Sequence, residues 1–213
     1  MVKKNKIIVI SGFSGSGKSS VSGVFKKKGY KVISVSETLK KYFQKNIPNF
    51  TKISENSRQR HIKEILLKKP LLPGEEIKKA ALKNKKNKIV LDGVRGFRDL
   101  VYLDNYDLII IFLYSNFNLR KKRVSERKKT SLDQNLKKRD FLDYSVGIGD
   151  VIKNANFLIK NERLLKNELF NLTNKLIKNK FKPINHKALY TKITRSLLTE
   201  VKENESKIKR IRM

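Results

Sequence analysis

The chain contains no cysteine, which excludes disulfide staples and thiolate metal sites. Its two histidines, His61 and His186, stand far apart, which argues against a zinc cluster. No apolar run approaches the roughly 20 residues needed to span a bilayer. Met1-Val-Lys-Lys leads directly into the first expected strand and leaves no room for a signal peptide, so a cytoplasmic protein is expected. Acidic residues are scarce: 19 Asp and Glu stand against 51 Lys and Arg, a net charge of +32 over 213 residues. The excess has two readings. Residues 181–213 carry +6 and the remaining +26 is spread over residues 1–180, as in a generally Lys-rich, solvated surface. The other reading is contact with RNA, through the basic surface or the tail. Apolar residues make up 38% of the chain, enough for the core of one good-sized domain with an appendage.

The most informative stretch is Gly12-Phe-Ser-Gly-Ser-Gly-Lys-Ser19. It follows the apolar run Ile7–Ile10 and precedes a helical pattern. It fits G-x-x-x-x-G-K-[ST], the phosphate-binding P-loop. Gly12, Gly15 and Gly17 give the backbone conformations closed to residues with a Cβ. The backbone N–H groups of Phe13, Ser14 and Ser16 and of the helix start at Ser19 and Ser20 can then surround phosphate oxygens. Lys18, in a loop expected to face solvent, supplies a point charge to the β- and γ-phosphates. The Ser19 hydroxyl suits Mg²⁺. Strand, glycine loop, Lys-Ser and helix together point to ATP with Mg²⁺ far more specifically than the bare pattern does.

Along the chain, Lys6–Ser11 reads as a strand and Ser19–Lys28 as a helix with Val21, Val24 and Phe25 on one face. Lys31–Val35 reads as a second strand, with Ser36 as the N-cap of the next helix. A helix is expected over 56–68. Pro73 is expected as the first residue of another, with Glu75 and Glu76 near its positive end. This region, between strands two and three, reads as an insertion covering a second substrate. Lys88–Asp92, Leu108–Leu113 and Phe157–Ile159 complete the strands, and their alternation with helices predicts a parallel α/β sheet. A helix over 162–180 should pack Leu165, Leu169, Leu172 and Leu176 on that sheet. Beyond Pro183, Leu189, Ile193, Leu197 and Val201 predict a last amphipathic helix.

Two further stretches carry chemistry. In Ile89-Val-Leu-Asp-Gly-Val-Arg95, Asp92 ends a buried strand and fits the Mg²⁺-holding role; a turn cap is its plain alternative. Gly93 would admit a substrate closely. Arg95 would project from the C-terminal sheet edge, where its planar fork suits a phosphate. From Asn116 to Arg139 there are ten Lys and Arg and two acidic residues. Arg120, Arg123 and Arg127 share one helix face. Aimed at a triphosphate, Arg123 and Arg127 would stabilise the moving phosphoryl group, and Arg139 could return to the same place past a turn. A solvated basic helix is the alternative.

Together these motifs resemble the nucleoside monophosphate kinase group of P-loop kinases, which includes adenylate kinases and dephospho-coenzyme A kinases. More narrowly, they resemble an archaeal family of uncharacterised adenylate-kinase-like and dephospho-coenzyme A kinase-like proteins. The resemblance rests on Gly12–Ser19, Leu91-Asp-Gly-Val-Arg95, Arg120-Lys-Lys-Arg123 with Arg127, Arg139-Asp140, and Val146–Ile152 followed by Asn154–Ile159 and Asn161. It implies a five-stranded parallel sheet in the order 2-3-1-4-5 with flanking helices. It also implies a kinase domain over residues 1–180, with an acceptor-binding insertion near 36–87 and a lid near 116–144. Residues 181–213 would be a basic helical extension outside the resemblance. Gly147–Asp150 would form a turn ending in an N-cap. The implied reaction is transfer of the ATP γ-phosphoryl group to a nucleotide-like acceptor, AMP or dephospho-coenzyme A. Glu37 stands where relatives often carry Asp, one methylene shorter, and is a candidate acceptor-binding residue with Arg95 and Arg139. An ATP-dependent switch acting on RNA, or a nucleotide sensor without turnover, would use the same P-loop.

Overall fold

The computed structural model describes residues 5–84, 88–128, 133–162, 168, 171–173 and 175. Its centre is strand β1, Asn5–Gly12, which pairs in parallel with β3, Ile89–Val94, on one side and with β4, Tyr106–Tyr114, on the other. The edge strands β2, Lys31–Ser34, and β5, Phe157–Lys160, complete a five-stranded sheet in the order β2-β3-β1-β4-β5. All ladders are parallel, and the order is the one implied by the resemblance. Central strands of such a sheet are covered on both faces, so they read as unbroken apolar runs. Ile7, Ile8, Val9 and Ile10 are accordingly all buried.

Alternate side chains serve two cores. Ile7, Val9, Leu91 and Phe112 join the larger one. It is closed by helices α4, Leu72–Leu82, through Ile77 and Ala81, and α7, Ile148–Lys153, through Ile148, Val151 and Ile152. Ile8, Ile10, Val90, Ile111 and Leu113 face the other way, onto Val21 and Phe25 of α1, Lys18–Lys27. A third cluster, Phe43, Ile47, Phe50 and Leu72, joins α2, Val35–Asn46, to α4, with α3, Glu55–Lys68, packed against it. This is the insertion between strands two and three.

Several boundaries differ from expectation. Ser34, not Ser36, caps α2: its Oγ accepts from the Glu37 N–H at 3.3 Å. The strand therefore ends one residue earlier, and Val35 turns inward as the first helical residue. Pro73 is the second residue of α4, not the first; both positions leave no intrahelical N–H partner to lose. The basic stretch forms two helices, α5, Phe117–Lys128, and α6, Asp133–Ser145. Before β5, Gly147 is the N-cap of α7, at φ 101°, and Asp150 lies in that helix's first turn instead of capping it. Leu172 packs against the second core; Leu165, Leu169 and Leu176, and the expected last helix, lie outside the described residues. Among the described residues no helix is long and apolar enough to cross a membrane.

Candidate active site

Between β1 and α1 the chain turns through Gly12, Gly15 and Gly17, all with positive φ. At Gly17 a Cβ would collide with Asn161 Nδ2, so both conformation and space demand glycine there. Gly17 is also the N-cap of α1 and offers no side chain to it. The helix therefore presents its first N–H groups and its positive end to the loop. Phe13 and Ser16 are buried, with Phe13 edge-on to Phe112 at 6.0 Å. Their contribution to a phosphate cradle is thus through the backbone. Ser14 and Ser19 line a cavity of about 190 Å³ with Gly12, Lys18 and Asp92. Ser20 is exposed.

Lys18 departs from the expected solvent-facing loop residue. Its Nζ donates to the carbonyls of Gly12 at 2.7 Å and Phe13 at 2.9 Å. Desolvation of this enclosed ammonium lowers its pKa from 10.5 to about 8, against the opposing charges of Asp92 and Asp143.

Asp92 sits on β3 opposite Ile10 of β1 and Ser34 of β2. Just beyond it the β1–β3 register slips, so Ser11 pairs with Val94 and Gly93 is left over. Gly93 takes φ 89° with nothing within 4 Å of a would-be Cβ. Glycine is needed there for conformation, not room, and the bulge re-aims the strand end at the site. Ser11 Oγ closes it by donating to Val94 O at 2.6 Å. Burial pushes the Asp92 carboxyl upward, opposed by a hydrogen bond from Ser22 and by the Lys18 charge. Its Oδ1 is buried without a hydrogen-bond partner.

Arg95 is oriented from behind, because Asp99 Oδ2 accepts from the Arg95 and Gly96 N–H groups at 2.8 and 3.4 Å. Its guanidinium lies 3.3 Å from Asp143 on α6, whose side chain is 7% exposed. Arg95, Arg139, Asp143, Ser36 and Gly93 line the first cavity and also a second one of about 540 Å³. The second cavity is walled by Leu39, Phe43, Phe50, Ile62 and Leu66 from the insertion and is entered by Arg58 and Arg98. The glycine loop and the segment between β2 and β3 thus open onto one junction.

The basic helix is brought to the loop, with a division of labour its spacing did not show. Arg120 is buried and makes a two-pronged pair with Asp140 of α6 at 2.9 and 2.6 Å. It also donates to Ser14 O at 3.3 Å and lies over the rings of Phe13 and Phe117. Arg123 reaches Gly15 O at 3.4 Å and Asn161 O at 3.2 Å. The side chain of Arg127 lies outside the described residues. Glu37 is exposed and lines neither cavity.

Sequence reasoning missed Asp143. The available signal was an acidic pair, Asp140 and Asp143, three apart and buried in a helix that otherwise carries Lys137, Lys138 and Arg139. It also missed Asn161 as a brace, whose Nδ2 donates to Ser16 O at 2.8 Å, and the cavity arginines Arg58 and Arg98.

Residues 8–141 match the family model of the AAA domain. A UPF0200 protein of Sulfurisphaera tokodaii is 30% identical over 166 residues, which are 76% of this chain and 90% of that one. Among solved structures, shikimate kinase from Acinetobacter baumannii aligns with a TM-score of 0.53 at 17% identity, covering 83% of this chain and 96% of that chain. Dephospho-CoA kinase from Campylobacter jejuni aligns with a TM-score of 0.50 at 20% identity, covering 84% and 100%. At such identities the likeness is one of fold, a P-loop kinase-like fold.

Proposed function

We propose that this chain, a member of the AAA domain family and of the UPF0200 proteins, is a P-loop kinase that transfers the ATP γ-phosphoryl group to a small nucleotide-like acceptor. One observation carries this reading. The phosphate-loop cavity and a second, half-apolar cavity meet at Ser36, Gly93, Arg95, Arg139 and Asp143. A simple ATPase needs only the first. The apolar wall around Leu39, Phe43 and Phe50 suits a flat base, and Arg58, Arg95, Arg98 and Arg139 suit anionic groups.

In this reading the loop N–H groups and Lys18 hold the β- and γ-phosphates. The chemistry of the donor set suits Mg²⁺: Asp92 Oδ1 is buried and unpartnered, and the Ser19 hydroxyl lines the same cavity. Among the described residues no cluster of three or more His, Cys, Asp or Glu could hold a metal by itself. That suits a cation completing its shell with phosphate oxygens and water. When bound, Mg²⁺ would neutralise charge on those oxygens. Arg95 and Arg139 orient the acceptor at the junction. Arg123, with Arg127 on the same helix, adds positive charge over the loop. Such catalysis is mostly positioning and charge stabilisation.

The test is direct. With ATP-Mg²⁺, either AMP or dephospho-coenzyme A should be phosphorylated faster than ATP is hydrolysed in its absence; transfer to neither sinks the kinase reading. A second reading, an ATP-dependent switch on RNA, is favoured by the net charge of +32 and the basic tail.

A further inference from the structure

We infer that the acceptor's reacting group is a hydroxyl, and that Asp143 is the carboxylate that takes its proton. This inference rests on the kinase reading and deepens it by naming the acceptor chemistry.

The carboxylates around the two cavities separate by position. Asp92 lines the phosphate-loop cavity only. Asp99 lines the second cavity only and is committed to the backbone of Arg95 and Gly96. Glu37 lines neither. Among the described residues Asp143 is the one carboxylate that lines both. A group placed there faces the gap across which the phosphoryl group would move.

The two kinds of acceptor make opposite demands on that position. A phosphate monoester is already largely dianionic near pH 7, because its second pKa is about 6. It needs no base, and a carboxylate beside it repels it. An alcohol is un-ionised at that pH and gains from a base within hydrogen-bond reach. In a chain with 51 basic and 19 acidic residues, an acid at this junction is a liability for the first chemistry and an asset for the second.

The charged groups around Asp143 are Arg95 from the turn after β3, Lys18 from the phosphate loop, and Arg139 and Asp140 from its own helix. Burial is the largest influence and raises the carboxyl, Asp140 adds to it, and the three cations oppose it. The net direction is upward, which strengthens the carboxylate as a base. In the step itself, the acceptor oxygen bonds to the γ-phosphorus of ATP. The bond from that phosphorus to the β,γ-bridging oxygen breaks. ADP leaves with the electron pair, and the hydroxyl proton ends on an Asp143 carboxylate oxygen.

The experiment follows the new bond. ATP-Mg²⁺ is incubated with AMP and, separately, with dephospho-coenzyme A, and the products are examined by phosphorus NMR. AMP offers both a phosphate and ribose hydroxyls, so it discriminates by itself. A new phosphate ester on carbon is expected, with one ADP per ATP consumed; loss of AMP with two ADP formed per ATP consumed and no new ester resonance overturns the inference while leaving the kinase intact. Transfer to neither probe removes both. On whichever probe is used, Asp143→Asn should lower kcat about 100-fold or more, with the acceptor KM within about threefold. It should also erase the fall in rate on the acidic side of the pH profile, and Asp143→Glu should restore part of the rate. A thermal shift with ATP-Mg²⁺ shows that the variants are folded. If folded Asp143→Asn instead keeps kcat and raises KM, Asp143 only positions Arg95 and the proposal falls.

Discussion

At the scale of single residues, the desolvated ammonium of Lys18 works against the fold that holds it. Its folded pKa, about 8, lies below the 10.5 of an ordinary lysine. Between those values the unfolded chain holds a proton that the folded chain does not. The Lys18 contribution to stability should therefore rise as pH climbs from about 8 to 10.5, and be lowest below 8. Lys18→Met removes the buried charge and keeps an apolar stem. It should stabilise the protein at pH 7, by at most about 3 kcal/mol for a gap of this size, and the gain should disappear by pH 10.5. Urea titrations of both proteins at pH 7 and pH 10.5 measure this. Lower stability of the variant at pH 7 would mean that the bonds to Gly12 O and Phe13 O outweigh the desolvation. ATP binding should be lost in the same variant, a trade of function against stability. The loop was legible in the sequence because its requirements are local: each glycine answers to its own φ, and Lys18 and Ser19 follow by spacing. Asp143 was not, since its meaning depends on where α6 lands against β3, some fifty residues away in sequence.

At the scale of elements, α5 and α6 are joined by a buried pair. Arg120 of α5 and Asp140 of α6 are 3% and 11% exposed at their side chains, and the same guanidinium reaches the Ser14 carbonyl of the phosphate loop. Removing one partner leaves a buried charge. Asp140→Ala should thus cost about 3–5 kcal/mol, and it should loosen the helix that carries Arg139 and Asp143. Replacing both partners, Arg120→Met with Asp140→Leu, should recover most of the stability, because the uncompensated charge is gone. Denaturant midpoints of the single and double variants test this; equal losses in both would show that the pair itself stabilises the packing of α5 on α6. Helical spacing placed Arg120, Arg123 and Arg127 on one face but could not rank them. Burial ranks Arg120 as the brace. A similar limit explains the shift of the α2 cap to Ser34: both Ser34 and Ser36 are good capping residues, and only the packing of Val35 into the core decides between them.

At the scale of the whole molecule, the strands and their parallel pairing were legible because buried strands write themselves as apolar runs that alternate with helical patterns; their order was not, and came from the resemblance. The second cavity was not legible, being assembled from α2, α3, β3 and α6 at once. The charge of the chain is the remaining global feature. Of the +32, +26 is spread over residues 1–180. A surface of this kind attracts any polyanion at low salt through counterion release, with no sequence or shape preference. The kinase reading therefore predicts that a single-stranded oligouridylate binds in 50 mM salt. Its affinity should fall steeply by 200 mM, by a factor of roughly 300 if six phosphates are neutralised. ATP turnover should not respond to it. A chain ending at residue 182 should bind nearly as well, because most of the charge remains. An RNA switch predicts a different pair: turnover stimulated by RNA, and binding, itself salt-sensitive, that weakens when residues 183–213 are removed. Fluorescence anisotropy across the salt series, with ATP turnover measured in parallel on both chains, separates the two. Salt-sensitive binding alone would leave the charge as solvation of a Lys-rich surface, and the junction at Arg95 and Asp143 as the place where the protein acts.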